Sequence, residues 1–399
     1  MRATARFPEL LPVLLVDRDL DRARRAYRAR GVPDDAVRVV GPGAAPPGPW
    51  NVATDVAALG RVHGIDVVFE ATGDMLLGAE TALAAFAMGA HFVTGSCELD
   101  ACLGPALAAR AARAGVVYSN ADGDQPVVLR RMLDEVVAWG FAPKVIGNCK
   151  GFLDVHQNPD GVVAHVPHHQ DQRKVVAMAD GSKQSEEMAC LGNHLGFHPT
   201  RPDMLGPTVP KATLVRAFGE LLELDRLDGP VMDFTQGIRG VDEGAGVFVV
   251  ARRGDATTRD DMLFLKKGPG PDYLFFRDHH LCYFEVPQTL AQVGASGLPV
   301  FAPRGRFCDV IAFAKTDVAA GTRLDGLGGF HCYGVVDRAR VVEREGLLPY
   351  GLAGFATTRA PLRADEPIRR VDVEVDDNAA VRLRREVEVM PTDVIVCPS

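Results

Sequence analysis

Apolar and polar positions alternate in blocks along the first third of the chain. A short apolar run at 12–16 stops at Asp17-Arg18-Asp19 and gives way to a basic, helix-patterned stretch closed by Gly31. Residues 41–50 form a Gly- and Pro-rich loop. A stretch opened by Thr54 or Asp55 as cap leads to a buried strand at 65–70, and an alanine-rich helix, a strand, a second helix and a last strand follow to about 121. Strands separated by single helices predict a parallel, doubly wound sheet, because parallel neighbours need a helical crossover.

Beyond 142 the pattern changes. Strand and loop at 144–154, then loop and helix at 168–197, precede alternating runs at 244–254, 272–278 and 279–287 that read as strands. From 309 onward short strands are broken by many Gly, Pro and Asp turns. The predicted fold class is α/β, with a Rossmann-like domain over 1–142, an α+β substrate domain over 143–308 and a small β-rich module over 309–399.

Composition narrows the class. A net charge of -8 argues against a nucleic-acid or anionic-membrane partner. No run of 18 apolar residues spans a bilayer, and the N-terminus lacks the ordered segments of a signal peptide. The eight cysteines include no C-x-x-C pair, which suits reduced thiols and a cytoplasmic location. The partner expected is a small-molecule substrate, with a homo-oligomer as a further possibility.

Several residues carry candidate chemistry. Asp17, at the end of an apolar strand, is placed to accept ribose hydroxyls, and Arg18 beside it to meet adenine or a 2′-phosphate, leaving NAD or NADP open. Asp17 also suits a helix N-cap. Thr72 and Gly73 sit where a strand turns, a hydroxyl donor beside a bare backbone. Gly95 and Glu98 follow the next strand, with Glu98 placed to face the nicotinamide. Asp124 and Gln125 lie in Asp122-Gly123-Asp124-Gln125-Pro126, where Pro126 opens a helix at the edge that binds ligands in such sheets.

Lys150, in a Gly-flanked turn after an apolar strand, and Lys183, after the Asp180-Gly181 turn, are the catalytic candidates. A lysine beside a carbonyl polarises it and moves a proton, provided burial lowers its pKa toward working pH. Asp154, Asp180 and Glu187 are acidic neighbours that orient the lysines or bind a substrate hydroxyl; Arg277 and His279 suit a substrate carboxylate and the cleft. The pairs His168-His169 and His279-His280 do not predict a metal, since adjacent residues on a strand face opposite ways and neither shows ligand spacing.

The segments VDRDLDRA, IDVVFEATGD, ADGDQPVV, GNCKGFLD and MADGSKQSEEMACLGNHLGF occur in that order. Together they resemble the homoserine-dehydrogenase-like oxidoreductases, and VIAFAKTDVAAGTRLDGLGG resembles the opening of a SAF domain. The resemblance spans about residues 11–390. It implies a Rossmann domain, a nicotinamide cofactor, a small hydroxy or oxo substrate such as an amino-acid or sugar-acid derivative, and a lysine in proton transfer.

A complete fold of that kind needs a strand and G-x-G-x-x-G before residue 11, and only ten residues stand there. The expectation is therefore a Rossmann domain without its first strand and Gly-rich loop, either because Met1 is an internal start or because the chain is a relative that no longer holds a dinucleotide. An NAD(P)-dependent oxidoreductase, a non-catalytic ligand- or partner-binding relative, and a lyase or epimerase without net redox are the readings in that order.

Overall fold

The computed structural model describes residues 3–43, 46–151, 153–163, 166, 171–237 and 246–395; the His168-His169 pair lies outside them. The first apolar run forms β1 (Leu14–Val16). Asp19 caps α1 (Leu20–Arg28), its Oδ1 accepting the N–H groups of Asp21 and Arg22. The cap is thus Asp19 rather than Asp17. Strands β2 (Val37–Val39) and β3 (Trp50–Ala53) flank the 41–50 loop. Neither is among the predicted elements, because each is too short to show an alternation. The predicted series then follows: β4 (Val67–Glu70), α2 (Met75–Ala87), β5 (His91–Thr94), α3 (Cys97–Arg113), β6 (Tyr118–Asn120) and α4 (Gln125–Ala138).

These strands build two parallel sheets, in the orders β2-β3-β1 and β4-β5-β6, where the pattern predicts one. β1 and β4 are each an edge, and no strand among the described residues joins them. Leu14 of β1 and Ile65 just before β4 share a small apolar cluster with Ala58 and Val62, so the two sheets adhere through side chains rather than a ladder.

The middle of the chain supplies β7 (Ala142–Lys150), α5 (Pro159–Val162), α6 (Gln172–Ala179), α7 (Ser182–Leu195), β8 (His198–Pro199), α8 (Leu214–Leu222), β9 (Val231–Gln236), β10 (Val247–Arg252), α9 (Ala256–Phe264) and β11 (Asp272–Arg277). Their mixed sheet runs β11-β10-β7-β9-β8, with β7, β9 and β8 parallel. The stretch predicted as a strand at 279–287 is instead the start of α10 (Cys282–Ser296). Its inward positions, Val286, Leu290 and Val293, recur at helical spacing once the run is followed past Pro287.

The C-terminal segment holds β12 (Cys308–Ala314), β13 (Cys332–Arg338), α11 (Ala339–Glu345), β14 (Ala356–Thr358), β15 (Val373–Val375) and α12 (Ala379–Glu388). It is mixed rather than β-rich: two antiparallel ladders carry two helices, and α12 packs on α2 and α3. One apolar core runs from Leu59 to Val387 through all three expected segments. Helix α7 lies inside it, packed against α3, α4 and β13. Its start is pinned from the C-terminal side, where Lys315 and Asp180 form a fully buried ion pair at 2.8 Å and Ser182 Oγ accepts the Gly334 N–H. No helix among the described residues is long and apolar enough to cross a membrane.

At the far end of α7, His194 stacks on Phe301 and its Nδ1 donates to the Ala302 carbonyl. Burial, the largest influence, pushes its pKa down to about 4 from 6.5. Unfolded His194 therefore binds a proton between pH 6.5 and 4 that the folded ring refuses, so stability falls as pH drops through that window, by at most about 1.4 kcal/mol per pH unit. His194→Gln flattens that limb of a denaturation-versus-pH curve; an unchanged limb removes His194 as its source.

Candidate active site

Five segments from across the chain converge. Lys150 ends β7, Lys183 and Glu187 occupy the first two turns of α7, Cys97 and Glu98 open α3 after β5, Asp124 and Gln125 open α4 after β6, and His280 and Cys282 lead into α10. The openings of α3 and α4 lie at the carboxyl ends of parallel strands, the edge where open sheets expose loops.

Two lysines organise the cluster. Lys150 Nζ lies 2.9 Å from Glu187 Oε2 and donates to Gln125 Oε1 at 3.1 Å. Asn148 Nδ2 donates to the same two acceptors. Gln125 Nε2 meets His280 Nε2 at 3.1 Å, and His280 Nδ1 faces the Gly123 carbonyl at 3.1 Å. Lys183 Nζ stands 2.8 Å from Cys97 Sγ, 3.5 Å from Asp124 Oδ2 and 3.6 Å from Glu98 Oε1. Lys183 keeps a fifth of its side-chain surface open to solvent, Lys150 somewhat less.

Burial acts to lower the Lys183 pKa, yet the carboxylates of Asp124, Glu98 and Glu187 raise it well above the ordinary lysine value. The expectation that burial brings it toward neutrality is corrected. In the free protein Lys183 is a held ammonium, able to donate a hydrogen bond or proton but not to take one. Burial likewise raises Cys97, so the thiol stays protonated beside it, and burial pushes the Glu186 carboxyl well above its ordinary value.

The remaining sequence candidates scatter. Glu98 faces Lys183. Thr72 does not offer a free hydroxyl: it donates to Glu70 Oε1 at 2.6 Å, which also accepts the Thr72 and Gly73 N–H groups. Gly95, at the end of β5, donates its N–H to the Glu70 carbonyl. Asp17 accepts the Asp19 N–H, and Arg18 is exposed. Asp180 is committed to Lys315 rather than to Lys150 or Lys183. Asp154 closes its own loop by accepting from His156 and Gln157. Arg277 is tied to Glu285 at 2.8 Å, and His279 points outward to Asp278. His279 was the wrong member of its pair, since it is His280 that enters the cluster. Sequence reasoning also missed Cys97, Asn148, Cys282 and Lys174, whose Nζ donates to the Thr72 carbonyl. Only the position of His280 beside a named candidate could have drawn attention to it.

Gly123 makes the convergence possible. At φ +92° it presents bare backbone to α10, and a Cβ there would lie 2.6 Å from the Cys282 Cα. Gly123→Ala is expected to push the Asp124 turn and the start of α10 apart and to destabilise the fold by about 1–3 kcal/mol, read by denaturation. Wild-type stability in that variant would mean the contact is dispensable.

A 410 Å³ cavity lies away from this cluster, lined by His156, Asn158, Thr316, Thr322, Phe330 and His331 among others. None of its lining residues belongs to the lysine cluster, and most of them come from the C-terminal segment.

Residues 123–286 match a family model described as oxidoreductase DRL, catalytic domain, so over that segment the chain is similar to an oxidoreductase. That match takes in both lysines, Glu187, Asp124 and Gln125. Among solved structures, the chain is similar to an amine dehydrogenase from Mycobacterium smegmatis, at 13% identity over 76% of this chain and 90% of that one with a TM-score of 0.41. It is also similar to a dehydrogenase from Chromobacterium violaceum, at 13% identity over 76% and 85% with a TM-score of 0.41. No curated protein matches the chain.

Proposed function

We propose that the chain reduces or oxidises a small hydroxy or oxo compound, an amino-acid or sugar-acid derivative, with NAD or NADP, in the manner of the homoserine-dehydrogenase-like enzymes that its motifs resemble. The observation that carries this reading is the pair of half-buried lysines set among Glu98, Asp124 and Glu187 within or beside the matched catalytic segment. Lys183 donates to the substrate oxygen and supplies the proton as that oxygen becomes a hydroxyl. Lys150, fixed by Glu187 and Gln125, holds a second polar group of the substrate. A reducing compartment and a small-molecule partner belong to the same reading: the seven cysteines among the described residues are all free.

The residues fit a dinucleotide in part. Asp17 leaves Oδ2 engaged only by Arg22 at 4.0 Å, so it can accept ribose hydroxyls. At Gly73, φ +70°, Lys174 Nζ lies 2.8 Å from where a Cβ would stand, a cation over bare backbone suited to a phosphate. Asp17, Gly73 and Lys174 would hold the cofactor, which when bound exchanges a hydride with the substrate carbon.

The test is a fluorescence titration with NADH and with NADPH. Micromolar binding, weakened about tenfold or more in Asp17→Ala, is expected. One observation favours a second reading, a non-catalytic ligand-binding relative: the Thr72 and Gly73 N–H donors are already spent on Glu70 and Ser96. Binding of neither nucleotide overturns the first reading and leaves the second.

A further inference from the structure

Behind Lys183 stands a carboxyl group that no cation claims. Of the two adjacent glutamates on α7, Glu187 pairs with Lys150 at 2.9 Å. Glu186, three positions after Lys183 and so its neighbour on the helix surface, is 2% exposed. Its Oε2 is buried without a hydrogen-bond partner among the described residues. A lone carboxylate in such a place carries a large desolvation cost, which the neutral acid avoids.

We propose that Glu186 is held as a neutral carboxylic acid and reloads Lys183, through one water and the Glu98 carboxylate, after Lys183 has given its proton away. Glu186 touches no substrate in this scheme; it acts through Glu98 and Lys183.

The geometry supplies the route. One carboxyl oxygen of Glu98 and one of Glu186 lie within 4.8 Å of each other. Two hydrogen bonds of about 2.7–2.8 Å through a water span that separation. Both glutamates line a cavity of about 10 Å³, which is room for one water. The third carboxylate on its wall, Asp309, is taken up by Arg384 and Arg306, so Glu98 and Glu186 are the carboxyl groups left to that water. From Glu98 the path is short, since Oε1 lies 3.6 Å from Lys183 Nζ.

The protons balance. As hydride reaches the substrate carbon, Lys183 gives a proton to the oxygen and becomes a neutral amine. A substrate on Lys183 covers the opening through which solvent reaches it, so the next proton comes from within. Glu186 gives a proton to the water, the water gives one to Glu98, and Glu98 hands it on to the amine. Lys183 is then charged again, Glu98 is ionised as before and Glu186 is ionised. When the product leaves, the transfers run backward and Lys183 takes a proton from solvent, to which a fifth of its side chain is open. Burial, aided by Glu98, Asp180 and Glu187 and opposed by Lys183, keeps the proton on Glu186 between turnovers. The link from Glu186 to Lys183 stands without turnover; that the relayed proton ends on a substrate oxygen rests on the proposed oxidoreductase reading.

The experiment is infrared spectroscopy of the full chain at neutral pH, without substrate or cofactor. The parent-minus-Glu186→Gln difference spectrum is expected to show the carbonyl stretch of a protonated acid, displaced when water is replaced by D₂O. Carboxylate bands in its place overturn the neutral acid. After transfer of the parent into D₂O, that band exchanges at a rate which Glu98→Gln and Lys183→Met each lower about tenfold or more, since neither new side chain relays a proton. Both variants keep the band itself, which shows that they fold around an intact Glu186. Exchange at the parental rate in either variant overturns the relay. Failure to bind NADH or NADPH counts against the oxidoreductase reading alone and leaves both infrared results readable.

Discussion

Lys183→Met is expected to lower kcat/KM by about 10²–10⁴-fold, the range that a positioned proton donor contributes, for the oxo compounds that the proposed function assigns as substrates. The loss falls mainly on kcat, because a group that acts on a developing alkoxide does its work in the transition state. Lys183→Arg restores the charge but little of the rate: a planar guanidinium that does not give up its proton cannot replace an ammonium held among Cys97, Glu98 and Asp124. Asp124→Asn removes the largest of the charge effects that raise the Lys183 pKa, so the alkaline fall in kcat/KM moves to lower pH. A Lys183→Met enzyme with parental kcat would take this lysine out of the chemistry.

The second large effect is on stability. Asp309 opens β12 with its side chain 2% exposed, between two equally buried arginines. Arg384 of α12 grips both of its oxygens, Nη1 donating to Oδ1 at 2.7 Å, and Arg306 Nη2 lies 3.4 Å from Oδ2. Arg384 also donates to the Cys102 carbonyl of α3 and to Glu388. The triad therefore ties α12 to α3. Asp309→Ala leaves two guanidiniums buried without their carboxylate and is expected to cost about 3–5 kcal/mol, measured by chemical denaturation. The triple replacement Asp309→Leu, Arg384→Met and Arg306→Met recovers most of that loss, since it leaves no guanidinium buried without its carboxylate. A single variant within 1 kcal/mol of the parent would show the pair to be dispensable.

The order of elements through α4 was legible because buried parallel strands read as apolar runs and their crossover helices as alanine-rich stretches. The strands β2 and β3 were not, being three and four residues long on either side of a loop. The start of α10 misled because His279 to Glu285 imitates an alternation, while the helical period emerges only from Val286 onward. Asp19 as the α1 cap shows the same limit: Asp17 and Asp19 both fit the rule, and backbone geometry chose between them.

By itself the sequence determined the parallel α/β character and singled out Lys150 and Lys183 as candidates, because propensity, periodicity and side-chain type are local properties. The tertiary structure alone decided which charges share a site. It spent Asp180 on Lys315 of the C-terminal segment, withdrew Asp154, Arg277 and His279, and brought in Cys97, His280 and Cys282. The reason is that a side chain's partner is set by long-range packing. Residues more than 150 positions apart meet here because Gly123 lets two backbones touch, and nothing in the spacing of a linear chain encodes that contact.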